Sequence, residues 1–92
     1  MQPARRIEIF TGPNCGYCEA AKALLRDNGL DFEEIDLAAG PENIETFYAR
    51  LPRARAIPQI FVDGEHIGGL EDLRLHLADG PLERRPRGHH RA

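Results

Sequence analysis

The chain of 92 residues is predicted to fold as an α/β domain, with a four-stranded mixed sheet flanked by three helices in the order βαβαββα. Three observations predict it. Short runs rich in β-branched and aromatic residues alternate with longer runs whose apolar residues recur at helical spacing. Clusters of Gly, Pro, Asn and Asp punctuate the changes of period. Two late apolar runs are separated only by Asp63-Gly64, a pair that readily adopts the positive φ angles of a two-residue hairpin turn. A strand–helix–strand start calls for parallel pairing and a hairpin for antiparallel pairing, so the sheet is mixed.

Each element has its own local warrant. Ile7-Glu8-Ile9-Phe10-Thr11 reads as the first strand, ended by Gly12-Pro13-Asn14. From Tyr17 to about Asn28, Ala20, Ala21, Ala23, Leu24 and Leu25 form an apolar face, while Glu19, Lys22, Arg26 and Asp27 take the other side. Gly29 supplies the stop. Asp31 to Leu37 alternates at period two from Phe32 onward, as a half-buried strand does. Pro41-Glu42 opens a second helix, with proline tolerated in the first turn and an acid at the positive dipole end. Ile44, Phe47, Tyr48 and Leu51 follow at helical spacing until Pro52. Gln59–Val62 and Glu65–Gly68 make the hairpin. Leu70, Leu73, Leu75 and Leu77, entered through Glu71 and Asp72, make a last helix to about Ala78, before Asp79-Gly80-Pro81.

Composition bounds the function. The length suits one domain, placed at residues 1–82 and followed by a basic, solvated tail at residues 83–92. Residues 1–82 carry 8 Lys and Arg against 14 Asp and Glu, while the tail carries 4 against 1. Four arginines beside an acidic domain are a weak footprint for nucleic acid, and none is expected as a partner. His89 and His90 could hold a metal only with further ligands. The basic start through Arg5-Arg6 lacks the apolar stretch of a signal peptide, and no run is long enough to span a bilayer. A reducing cytoplasm, without membrane attachment, is the expected setting.

The chemistry lies in Asn14-Cys15-Gly16-Tyr17-Cys18, which holds both cysteines of the chain between a strand and a helix. Two cysteines three positions apart close too small a loop to staple a fold. A thiol at a helix start faces unpaired N–H groups and the positive end of the peptide dipoles, which favour its anion. Cys15 is therefore the candidate nucleophile, and Cys18 the candidate thiol that resolves a mixed disulfide on Cys15. Tetrahedral zinc needs four ligands, and the chain offers no second cysteine pair. No intramolecular metal site is expected.

Three separated blocks then carry a resemblance. Cys15-Gly16-Tyr17-Cys18, Ala56-Ile57-Pro58-Gln59-Ile60-Phe61-Val62-Asp63-Gly64 and Gly68-Gly69-Leu70-Glu71-Asp72-Leu73 resemble glutaredoxin, over about Ile7 to Leu82. The resemblance implies a thioredoxin-like fold, glutathione as the reducing co-substrate, and disulfide-bonded or glutathionylated proteins as partners, with electron transport and cell redox homeostasis as the setting. It implies a cis peptide at Ile57–Pro58 facing the cysteines, with the Ile57 backbone pairing to glutathione. Gly68-Gly69 would let the backbone approach the γ-glutamyl end closely, Leu70 and Glu71 would offer backbone groups to its carboxylate, and Asp72 would accept from the amino group. Tyr17 would cover the glutathionyl sulfur, and Arg55 would bind the glycine carboxylate. Two positions depart from common relatives: Gly12 stands where many have lysine, and Gly16 where the commoner ones have proline. Two alternatives stay open. One is a carrier in which Cys15 from two subunits and two glutathione thiols hold a 2Fe–2S cluster, the chain being a dimer only then and otherwise a monomer. The other is a disulfide reductant driven by thioredoxin reductase.

Overall fold

The computed structural model describes residues 5–79. The proposed tail at residues 83–92, with His89 and His90, lies outside them. In chain order the elements are β1 (Ile7–Thr11), α1 (Gly16–Asp27), β2 (Glu33–Asp36), α2 (Pro41–Arg50), β3 (Gln59–Val62), β4 (Glu65–Gly68) and α3 (Leu70–Ala78). This is the predicted order, with boundaries moved by a residue or two. The strands form one mixed sheet ordered β2-β1-β3-β4. β1 pairs parallel with β2, with Phe10 opposite Ile35, and antiparallel with β3, with Ile9 opposite Ile60. β3 and β4 pair antiparallel through a turn whose Asp63 and Gly64 have φ of 52° and 82°, the left-handed pair that the Asp-Gly signal requires.

All five residues of β1 are buried, because helices cover both of its faces. On one face Ile7 and Ile9 pack with Ala21 and Leu25 of α1, Ile60 and Val62 of β3, and Leu73 of α3. On the other, Phe10, Phe47 of α2 and Phe61 form a second core, with edge-to-face rings whose centroids lie 5.2 and 5.9 Å from Phe10. Side chains alternate along a strand, so Glu8 is forced onto the phenylalanine face. It is 6% exposed, and both of its carboxylate oxygens accept from Arg50, at 3.0 and 3.2 Å. The Arg50 guanidinium also lies 4.0 Å over the Phe61 ring.

Several patterned positions face differently from the sequence reading. Lys22, expected on the polar side of α1, is buried, while Ala23 is exposed. Lys22 follows Cys18 by one turn, on the face aimed at the sheet, and its ammonium meets Glu34 at 2.9 Å and Glu19 at 3.0 Å. Leu75 points to solvent because two residues beyond Leu73 is nearly the opposite side of a helix. Ile44 and Tyr48 are likewise exposed, leaving Phe47 as the buried anchor of α2.

Candidate active site

The sequence turns sharply before its first cysteine. Asn14 adopts φ 54°, a left-handed value that asparagine tolerates better than most residues, and Cys15 is extended at φ −116°. Cys15 is thereby the N-cap of α1. Its sulfur accepts the Cys18 N–H at 3.1 Å, and its carbonyl accepts the Glu19 N–H at 3.1 Å. Ordinary N-caps are oxygens. Here a sulfur takes that place, so charge generated on it meets a backbone donor already in position.

The second cysteine sits differently. Cys15 is half-buried, whereas Cys18 has no exposed surface, and both are free thiols. Burial pushes the Cys18 thiol up to about 12, and the adjoining Cys15 sulfur adds to the rise; the Gly12 backbone and Lys22 oppose it. The pair is chemically asymmetric: one sulfur is reachable and capped by an N–H, the other is held as a thiol behind it.

The Ile57–Pro58 peptide is cis, as the resemblance implied. The Cys15 thiol lies 3.9 Å from the Ile57 carbonyl oxygen, and Pro58 is buried. Among the described residues nothing accepts a hydrogen bond from the Ile57 N–H. Gly69, the N-cap of α3, packs close to the same loop: a Cβ on it would stand 3.3 Å from the Pro58 carbonyl oxygen. The Gly69 N–H donates to Asp72 Oδ2 at 3.0 Å, and Gly68, at φ 116°, leaves the space that this carboxylate fills. Leu70 and Glu71 begin α3, where backbone N–H groups lack intrahelical acceptors. The Cys15, Ile57–Pro58 and Gly69–Asp72 blocks therefore meet at one end of the sheet. Tyr17 is 70% exposed beside them, and Arg55 is exposed just before Ile57, without an ion-pair partner among the described residues.

Two ionic clusters behind the site escaped the sequence reading. Glu34 accepts from Lys22 and, at 2.7 Å, from the Thr11 hydroxyl, and these bonds hold its carboxyl below the usual range. Glu34 and Glu19 in turn raise Lys22 above its ordinary value. Arg50 lowers Glu8 in the same way, against burial. The available signal was an acid inside an apolar strand, which demands a cationic partner. Among the described residues no group of three or more His, Cys, Asp or Glu side chains could hold a metal ion, and no helix is long and apolar enough to cross a membrane.

A thiol pair at a helix start, set against a cis-proline loop on a four-stranded mixed sheet, defines a thiol oxidoreductase of the thioredoxin-fold superfamily. The glutaredoxin family model matches residues 7–67. Glutaredoxin 3 of Escherichia coli K12 is 40% identical over 77 residues, spanning 84% of this chain and 92% of that protein. The solution structure of a Brucella melitensis glutaredoxin superposes with a TM-score of 0.67 at 40% identity, over 84% of this chain and 83% of that one. A buckwheat glutaredoxin–glutathione complex superposes with a TM-score of 0.71 at 28% identity, over 85% and 73% of the two chains. The chain belongs to the glutaredoxin family and is a thiol-disulfide oxidoreductase.

Proposed function

We propose that the chain reduces glutathione mixed disulfides and protein disulfides with glutathione as the electron donor, acting as a cytoplasmic monomer. The observation that carries this reading is the asymmetry of the thiols: Cys15 is accessible and capped by the Cys18 N–H, while Cys18 is buried behind it. Cys15 as thiolate attacks the glutathionyl sulfur of a mixed disulfide, forms a Cys15–glutathione disulfide and expels the protein thiolate. A second glutathione thiolate attacks that glutathionyl sulfur, restores Cys15 and leaves as glutathione disulfide. With a protein disulfide, Cys15 instead bonds to one protein sulfur and the other departs as thiolate. Cys18 then attacks Cys15, releases the remaining protein thiol and leaves a Cys15–Cys18 disulfide, which two glutathiones reduce.

Glutathione fits as an extended ligand along the loop. The unpartnered Ile57 N–H and its carbonyl pair with the cysteinyl backbone, and buried Pro58 fixes that edge. The N–H groups at Leu70 and Glu71 suit the γ-glutamyl carboxylate, Gly69 lets the backbone approach it closely, and Asp72, already oriented by the Gly69 N–H, accepts from the amino group. Arg55 meets the glycine carboxylate and Tyr17 lies over the sulfurs. The buckwheat glutaredoxin–glutathione complex, a structural neighbour of this chain, supports glutathione as the ligand.

Glutathione-coupled turnover of a small glutathione mixed disulfide tests it. Cys15→Ser is expected to abolish turnover and Cys18→Ser to retain much of it. Full activity in Cys15→Ser overturns the assignment, and reduction by thioredoxin reductase but not by glutathione overturns the choice of donor. Purification without oxygen covers the cluster alternative, for which the signature is a coloured dimer that reverts to monomer on cluster loss.

A further inference from the structure

On the phenylalanine side of the sheet, a groove of about 360 Å³ opens between the segment that follows α2 and the β3–β4 edge. Leu51, Pro52 and Ala54 contribute its apolar lining, and Gln59, His66 and the exposed Arg53 its polar lining. Gln59 and His66 are tied together at 2.7 Å, so that wall is fixed. Arg50 closes the back, but both guanidinium contacts go to Glu8 and its charge is spent there.

Arg53 is different. Among the described residues Arg5, Arg6, Lys22, Arg50 and Arg74 each face a carboxylate and Arg26 lies over the Phe32 ring; only Arg53 and Arg55 have no such partner. Arg55 stands beside Ile57 at the thiol site, whereas Arg53 is exposed on the groove rim. An apolar slot edged by an unpaired cation, on a domain otherwise rich in acids, complements an apolar residue next to a carboxylate. The chain's own last ten residues have the wrong sign, with four arginines against one glutamate.

The groove also lies within reach of the chemistry. Gln59 follows Ile57 by two residues, and successive Cα atoms are about 2.9 Å apart across the cis Ile57–Pro58 peptide and about 3.8 Å across the next. The Ile57 carbonyl oxygen is 3.9 Å from the Cys15 sulfur. The Gln59 wall of the groove is therefore on the order of 11 Å from that sulfur, a span of about three to four extended residues.

We propose that this groove docks an acidic side chain, preceded by an apolar one, carried about four residues from the reacting cysteine of a protein substrate. The proposal rests on the disulfide-exchange reading above, and separates large substrates from small ones at the same thiol. It is tested with a glutathionylated peptide carrying Leu-Glu three and four residues from its cysteine on each side, against the same peptide with Lys for Glu. The Glu peptide is expected to show kcat/KM about fivefold higher at low salt, the upper range for an exposed ion pair. Arg53→Glu should reverse that preference while leaving turnover of a small glutathione mixed disulfide unchanged.

Binding of the same peptides with Ser for Cys, followed by fluorescence anisotropy, reads docking without any turnover and should show the same order. Equal binding of the two peptides, or a preference that survives Arg53→Glu, overturns the docking site even if the small substrate is turned over. Loss of the small-substrate reaction in the unaltered protein instead overturns the glutathione reading. Self-association in ultracentrifugation that Arg53→Glu abolishes would assign the groove to a second copy of the chain and overturn the proposal too.

Discussion

Selective alkylation puts the asymmetry of the two thiols to a quantitative test. Burial and the neighbouring Cys15 sulfur place Cys18 at about 12. At pH 8 a group with that value is ionised to about one part in ten thousand, against roughly a quarter for a free thiol near 8.5. Because the thiolate is the species that alkylates, Cys18 should react about a thousandfold more slowly in the folded protein than in urea, before its lack of exposed surface is counted. Timed iodoacetamide labelling at pH 8, with mass spectrometry of the two cysteine positions, reads this directly; Cys15 should label first and alone. Cys18 labelling within tenfold of its unfolded rate would refute the reasoning. Burial is the main cause of the rise at Cys18, with the Cys15 sulfur adding to it, so a mixed disulfide on Cys15 lifts only the lesser part.

The ionic clusters and the α3 entrance give further expectations. Arg50→Met strips Glu8 of its main partner and leaves only Arg6, at 3.2 Å; the expected loss is about 3 kcal/mol, read by urea unfolding at pH 7, with part of it recovered in Glu8→Gln/Arg50→Met. Glu8 and Glu34 both lie below their unfolded values, so their contribution is present above about pH 4.3 and is lost as pH falls through the lower folded values. The difference in stability between the parent and Arg50→Met should therefore shrink between pH 7 and pH 3, which unfolding curves across that range will show. Lys22 has the opposite sign: its contribution is intact below about pH 10.4 and fades as pH rises beyond it, an effect that Lys22→Met removes from the alkaline limb. Asp72→Ala is expected to raise KM for glutathione about tenfold, the value of one charged hydrogen bond, with a smaller loss of thermal stability from the vacated Gly69 contact.

The parts of the fold that rest on local chemistry were readable in the sequence. Asp63-Gly64 specified its turn through the positive φ of both residues, and Gly12-Pro13-Asn14 separated β1 from the cysteines as expected. The site blocks around Cys15, Ile57–Pro58 and Gly69–Asp72 were also legible, because each is contiguous. What the sequence concealed depends on contacts far apart along the chain. Lys22 looks like a solvated helix residue until Glu34, twelve positions on, appears across from it. Glu8 looks like an interruption of an apolar strand until Arg50 reaches it from 42 positions away. Leu75 faces solvent for a local reason, since it lies nearly opposite the buried Leu73 on α3, while Ile44 and Tyr48 flank Phe47, the one buried anchor of α2. The groove beside Arg53 had no linear signal at all, since its walls come from a loop and two strands.

Gly12 ties the thiol site to a constraint on exchange between family members. A Cβ at that position would stand 2.8 Å from Ile57 Cδ1, on the residue whose carbonyl faces Cys15. A lysine there thus relocates a methyl group as well as adding a charge. A smaller residue at 57 makes room for it, so Gly12→Lys paired with Ile57→Val should be tolerated better than Gly12→Lys alone. Positions 12 and 57 thus meet beside Cys15, and a side chain at 12 is accommodated only as the end of the Ile57 side chain moves aside.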